Sequence, residues 1–384
     1  MKKHHSEKTG NPLQTFGMPL LVTAILLLLA FVAFRFSGSQ SKTQDSLNSE
    51  IIGIKLTKIP SEQVKLYKKL IERVGPEQAQ DDLLRSGLPF TGETHLLNHT
   101  VGDYLYEKHG VSGLKYCRDY FLSSCYHGFI LHAIEVGGTP EVEKTFTECL
   151  KSGPTVYSQC AHGIGHGFLA NLGYKKLTDA LKTCDTIAKN IPEFPSFNCY
   201  DGVFMENIWA VHDGKPSPDR WINPKDIQYP CNGPRIESKY ILACWSNQPS
   251  LVYQFFQGNI KKVANDLCDK VKDPSYQSMC FDGLSRQIHP LTQGSSQKTF
   301  ELCGLMPSSR WVNYCVVVNA NASYAVGDRA EPFEICNSIS AGGKEDCFGR
   351  LLSSMKAYAK PGQDYKSLCS KISDAEWRRR CKGL

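Results

Sequence analysis

Apolar and polar positions divide the chain into segments of different character. The run 18-MPLLVTAILLLLAFVAF-34 is broken only by Pro19 and Thr23. At about 1.5 Å per helical residue it is long enough to cross a hydrocarbon core. No small-x-small pair follows it cleanly, so the run predicts an uncleaved signal anchor over residues 18–36, with a tail over 1–17. Residues 37–60, beginning 37-SGSQSKTQDSLNSE-50, are Ser-, Thr-, Gln- and Asn-rich and predict a polar linker. Helical patterning follows in 61-SEQVKLYKKLIERVG-75, 77-EQAQDDLLRSG-87 and 94-THLLNHTVGDYLYEKHG-110, which together form an N-terminal helical segment over 61–110.

From residue 111 to 384 the cysteines set the pattern. All 16 lie after residue 116, and no C-x-x-C occurs. That spacing removes zinc knuckles, thioredoxin-like redox motifs and c-type haem attachment. They fall into pairs repeated at intervals of 32–39 residues, with one longer step between the third and fourth pairs. Periods of this size mark stacked supersecondary units. In 261-KKVANDLCDKVKDPSYQSMCFDGLSRQIHP-290 one helix ends just after its cysteine, a Pro-containing turn follows, and a second helix starts just before the next cysteine. The predicted fold is therefore all-α: a curved, right-handed solenoid of about eight helical hairpins behind an N-terminal transmembrane helix. Pairing within units is the choice that treats all units alike. It gives Cys117–Cys125, Cys149–Cys160, Cys184–Cys199, Cys231–Cys244, Cys268–Cys280, Cys303–Cys315, Cys336–Cys347 and Cys369–Cys381. So many thiols imply an oxidising compartment. The expected protein is thus single-pass, with a cytosolic N-terminus and its main domain periplasmic or extracellular.

In period and hairpin pattern the region 110–384 resembles tetratricopeptide-like αα-hairpin repeat proteins, although the tetratricopeptide consensus is absent and such repeats usually lack regular cysteines. Its combination of cysteines with His-Gly pairs is similar to that of secreted bacterial proteins of no assigned function. These resemblances imply a fold and carry no activity.

Aligning units on their second cysteine exposes a column two residues further on: His127, His162, Asp201, Ser246, Asp282, Val317 and Gly349. The next column contains Gly128, Gly163, Gly202 and Gly283, whose missing side chains predict close helix approach. Equivalent positions of a solenoid stack along one wall, so His127, His162 and Asp201 are expected side by side at about one helix spacing, roughly 10 Å. In 160-CAHGIGHGF-168, His166 lies one turn beyond His162; before the first unit, His95 and His99 repeat the i, i+4 spacing. Glu206 and His132 lie five residues from their column members, about 140° round the helix, and so share those faces poorly.

Imidazoles and carboxylates from neighbouring helices are the ligand types of zinc, iron or manganese. The candidate metal ligands are His95, His99, His127, His162, His166 and Asp201, with Asp201 or Glu206 as general base. The protease signature H-E-x-x-H is excluded, because Gly163 stands where its Glu would be. Two functions remain open. One is a membrane-tethered metalloprotein performing metal-assisted hydrolysis, or oxidation, in the concave groove. The other is a non-catalytic scaffold that binds a peptide or envelope-protein partner, with the histidines lining the groove.

Composition narrows the partners. The net charge of +6 is shared between the N-terminal segment and a nearly balanced remainder, which leaves no basic footprint for nucleic acid. The Pro-rich stretch 210–234 in the longer step is either a lid or an inert decoration. A glycan on the sequon at Asn98 would crowd the histidines; chance is the simpler account of it and of the sequon at Asn321.

Overall fold

The computed structural model describes residues 49–55, 60–86, 88, 92–118, 120–121, 123–209, 217–292, 294–325, 330–357 and 365–383. The expected anchor over 18–36 lies outside these residues. Among the described residues no helix is long and apolar enough to cross a membrane, and there is no strand.

The helices are α1 (Pro60–Val74), α2 (Pro76–Arg85), α3 (Gly92–His109), α4 (Ser124–Lys151), α5 (Pro154–Leu172), α6 (Leu177–Asn190), α7 (Ser196–Trp209) and α8 (Ser238–Phe255). They continue with α9 (Ile260–Lys262), α10 (Pro274–Thr292), α11 (Ser296–Cys303), α12 (Ser309–Ala325), α13 (Glu331–Ser338), α14 (Ala341–Ala357), α15 (Tyr365–Cys369) and α16 (Ala375–Lys382). Local chemistry sets many of their ends. Pro76 and Pro154 occupy the first turns of α2 and α5, where a missing N–H costs nothing. Ser295 and Asp374 accept backbone N–H groups at the starts of α11 and α16. α4 is two helices joined at Gly138, whose φ of 59° only glycine adopts readily. Its first part ends one hairpin and its second part begins the next.

The second helices of successive hairpins pack side by side in one row, α3–α4–α5–α7–α8–α10–α12–α14. First helices such as α6, α11 and α13 lie against two members of the row. All eight expected disulfides are present, each within its unit, with sequence separations from 8 to 15, and no cysteine is free. The staples recur in register. Cys160 follows Pro154, Cys244 follows Ser238, Cys280 follows Pro274 and Cys315 follows Ser309 by the same interval. A chain so thoroughly cross-linked belongs to an oxidising, extracytoplasmic setting.

Two expectations are corrected. The hairpin rule fails where Cys117 follows a 3-10 turn (Gly110–Tyr116) and where Cys231 sits among turns, so these units lack a regular first helix. Residues 49–55, assigned to the polar linker, are helical; Ile51 and Ile54 are buried, because isoleucines three apart present one apolar edge. Asn98 itself is fully buried and its amide donates to Ser124 Oγ, which closes this chance sequon to a glycan.

The crossing points in the row explain the glycine column. A Cβ on Gly128 would fall on the His99 carbonyl, and one on Gly102 on the Cys125 carbonyl. Gly202 and Gly165 are paired in the same way against the His162 and Cys199 carbonyls, and Gly283 against that of Ser246. These backbones touch because the glycines have nothing to interpose.

Candidate metal centre

The glycine crossings draw the column residues inward. α3 supplies His95 and His99, α4 supplies His127, and α5 supplies His162 and His166. His127 is central. Its ring centroid lies 5.3 and 5.8 Å from those of His95 and His99. It lies 5.3 and 5.8 Å from those of His162 and His166. Within each i, i+4 pair the centroids are 4.7 Å apart. The expected separation of about one helix spacing is therefore too large: side chains from helices crossing at glycine reach past each other. His99, His127, His162 and His166 are all buried, and His95 is half-buried.

One side of the centre is made only of imidazoles. His95, His99 and His127 can each bring one nitrogen within 4.8 Å of the others, a buried cluster able to hold a metal ion. His95 donates Nδ1–H to the Phe121 carbonyl at 2.7 Å, which leaves its Nε2 as the lone-pair nitrogen, 3.4 Å from His127 Nδ1. Burial, and then the imidazoles of His95, His162, His166 and His99, hold the His127 pKa well below its usual value. The ring is neutral and offers a lone pair. Its Nε2 is buried without a hydrogen-bond partner, an orphan that a metal would satisfy. The donor set therefore fits a transition metal that accepts neutral nitrogen.

The other side is backed by carboxylates. Asp201 and Glu206, both from α7, stand behind α5: His162 Nδ1 is 3.2 Å from Asp201 Oδ2, and His166 Nδ1 is 3.0 Å from Glu206 Oε2. The helical-wheel objection to Glu206 fails, because α7 crosses α5 closely enough at Gly165 and Gly202 for both turns of α7 to meet it. Glu206 also accepts the Tyr174 hydroxyl at 2.5 Å and is fully buried. Burial alone would push the Asp201 carboxyl up. The His162 hydrogen bond, the Arg286 guanidinium and the Ser246 hydroxyl outweigh it and hold the group well below the usual carboxylate range. Asp201 Oδ1 accepts from Ser246 Oγ at 2.9 Å and from Asn247 Nδ2 at 2.7 Å.

These partners extend the polar line beyond the histidines. Arg286 bonds Ser246 and pairs with Asp282 at 3.0 Å, and Asp282 accepts the Tyr314 hydroxyl at 2.9 Å. Ser246 and Asp282 are members of the column two residues after the second cysteine, and Arg286 lies one helical turn beyond Asp282. Asn247 stands where other units carry the column glycine, and Tyr174 carries no pattern in the sequence. His132 stays outside the centre, half-buried against Tyr106. The described part of the Pro-rich stretch is ordered: Trp221 is buried, exchanges two hydrogen bonds with Asn207 beside Glu206, and donates Nε1–H to the Lys175 carbonyl. It is thereby tied to the residues that follow Tyr174 and Glu206 in the chain. The open depression lined by Val111, Lys115, Glu148 and Lys151 includes none of the histidines.

No family model, no curated protein and no solved structure matches this chain.

Proposed function

We propose that this is an extracytoplasmic, membrane-tethered helical-repeat metalloprotein whose centre is His95, His99 and His127, loaded with a divalent transition metal. The carrying observation is the buried triad, in which each histidine brings one nitrogen within 4.8 Å of the others. An all-imidazole donor set favours zinc or iron over manganese, which prefers oxygen ligands. The tether rests on the apolar run over 18–36.

Burial separates the two uses of such a centre. Hydrolysis of a bulky substrate in a groove needs an accessible ion with a water and a base beside it. Asp201 and Glu206 instead stand behind His162 and His166, where they orient rings. Metal holding, or metal chemistry on a substrate small enough to reach a buried ion, fits the arrangement better. The same burial speaks against the histidines as the lining of a peptide-binding groove.

Metal analysis of the purified full-length protein beside His127→Gln tests this reading. Bound zinc or iron in the wild type, lost in a variant that keeps its helicity and disulfides, is the expected result. Equally negligible metal in both proteins sinks it.

A further inference from the structure

We propose that His162 and His166 form a second transition-metal site, so that the centre holds two ions on either side of His127. The inference rests on reading the centre as a metal site and adds its nuclearity and ligand class.

Each ring of the pair presents Nδ1 to a carboxylate: His162 to Asp201 at 3.2 Å and His166 to Glu206 at 3.0 Å. Asp201 accepts on its other oxygen from Ser246 Oγ and Asn247 Nδ2, and a carboxylate only accepts, so His162 carries its proton on Nδ1. The same geometry at Glu206, whose other oxygen accepts from Tyr174, gives His166 the same tautomer. Both Nε2 atoms then carry lone pairs, yet they face each other at 3.0 Å. Two lone pairs at that distance repel unless something positive lies between them. An ion about 2.0–2.1 Å from each of two imidazole nitrogens, at angles from a right angle to the tetrahedral one, sets them about 2.9–3.4 Å apart. The observed distance lies in that interval. Carboxylates bonded to the far nitrogens are what a metal-ligating histidine uses to fix its ring and raise its basicity.

A second observation comes from the other side. His127 is 4 % exposed, and its Nε2 has no hydrogen-bond partner. The neighbouring ring atom, Cδ2, would stand 3.2 Å from a Cβ on Gly163, so this edge of the ring faces α5. The unsatisfied nitrogen thus lies on the side where the pair sits. The bland competitor is a single proton shared between the two Nε2 atoms. It would make one ring an imidazolium and leave the His127 nitrogen unexplained.

Full-length protein equilibrated with zinc, or with cobalt for its visible spectrum, separates these possibilities by bound metal per chain. The wild type should bind about two equivalents, and His162→Gln/His166→Gln and His95→Gln/His99→Gln about one each. Asp201→Asn keeps the shape behind His162 and should weaken one of the two sites by about 10–100-fold. One equivalent in the wild type, retained in His162→Gln/His166→Gln and lost in His95→Gln/His99→Gln, overturns the second site and leaves the triad standing. One equivalent lost only from His162→Gln/His166→Gln overturns the triad reading and the two-ion centre, and leaves the pair. No metal in the wild type overturns both. If the double variants fail to fold, judged by helicity and disulfide mapping, Asp201→Asn decides: two unweakened sites, or a single site unaffected by it, overturn the proposal.

Discussion

The two halves of the helical row share one scaffold and differ in what it encloses. Both carry a disulfide in every unit, at similar Cα separations of 6.5 Å for Cys149–Cys160 and 5.5 Å for Cys336–Cys347. In the N-terminal half the helices cross on paired glycines, and the column between them is histidine and aspartate. In the C-terminal half the column becomes Val317, buried and apolar, and then Gly349, with nothing within 4 Å of its would-be Cβ. The staple is thus a property of the repeat, whereas close crossing accompanies the polar column and extends as far as Gly283 against the Ser246 carbonyl. An architecture can be held constant while a few positions decide whether its interior is chemistry or filler.

The sharpest way to break this contrast is at the glycines. Gly202→Ala sets a methyl group onto the His162 carbonyl, and it should destabilise by about 3 kcal/mol or prevent folding. Thermal unfolding measures this, and a wild-type melting temperature would mean the crossing is not tight. Removing a staple should cost less selectively. Cys149→Ala/Cys160→Ala and Cys336→Ala/Cys347→Ala close loops of equal separation, 11 residues, and should each cost about 3 kcal/mol. Denaturant titration showing a much larger loss in the first would tie the disulfides to the centre after all.

Acid should act on the histidine half first. Burial and the surrounding imidazoles hold His127 below its usual 6.5, so below that pH the unfolded chain binds a proton that the folded protein refuses. Stability is unaffected by His127 above about pH 6.5 and falls as the pH drops below it, whereas the Asp201 contribution is present above its unfolded value of 3.8 and is lost only in stronger acid, as pH falls through its depressed folded value. Melting temperatures between about pH 7.5 and 5 should fall for the wild type and fall less for His127→Gln. Equal slopes in the two proteins would remove His127 as the cause. The smallest effect is expected at Gly349→Ala, which has open space in a helix and should stabilise by up to about 1 kcal/mol. A loss there would mean that this glycine also serves packing.

Much of this architecture can be read from residue order. Helices, local disulfide pairing and the packing role of Gly128, Gly163, Gly202 and Gly283 all follow from spacing, because each depends on chain-local geometry repeated in every unit. The adjacency of His127 and His162 follows from the column, and His95, His99 and His166 enter only through their i, i+4 spacing; the tightness of the cluster does not follow from either. An ordinary interhelical distance applied to helices that cross on glycine overstates the gap. Glu206 shows a second limit: a helical wheel describes one helix, and whether a residue meets the next depends on how closely the two approach. Tyr174 and Trp221 lie beyond both arguments. Tyr174 reaches Glu206 from the turn after α5, and Trp221 is held by Asn207 and Lys175 through backbone groups that carry no sequence signature.

Because every disulfide closes within its own unit and none joins one unit to the next, the described protein has a particular mechanical character. Pulled by its ends, it would have covalent stops inside each hairpin and only side-chain packing between hairpins. Extension should proceed in discrete steps, one unit at a time, with the stretch inside each staple never paid out. Reducing agent would lengthen every step without changing their order. The crossings at Gly165, Gly202 and Gly283, where a Cβ would stand 2.0 Å from the facing carbonyl, should be the last to part.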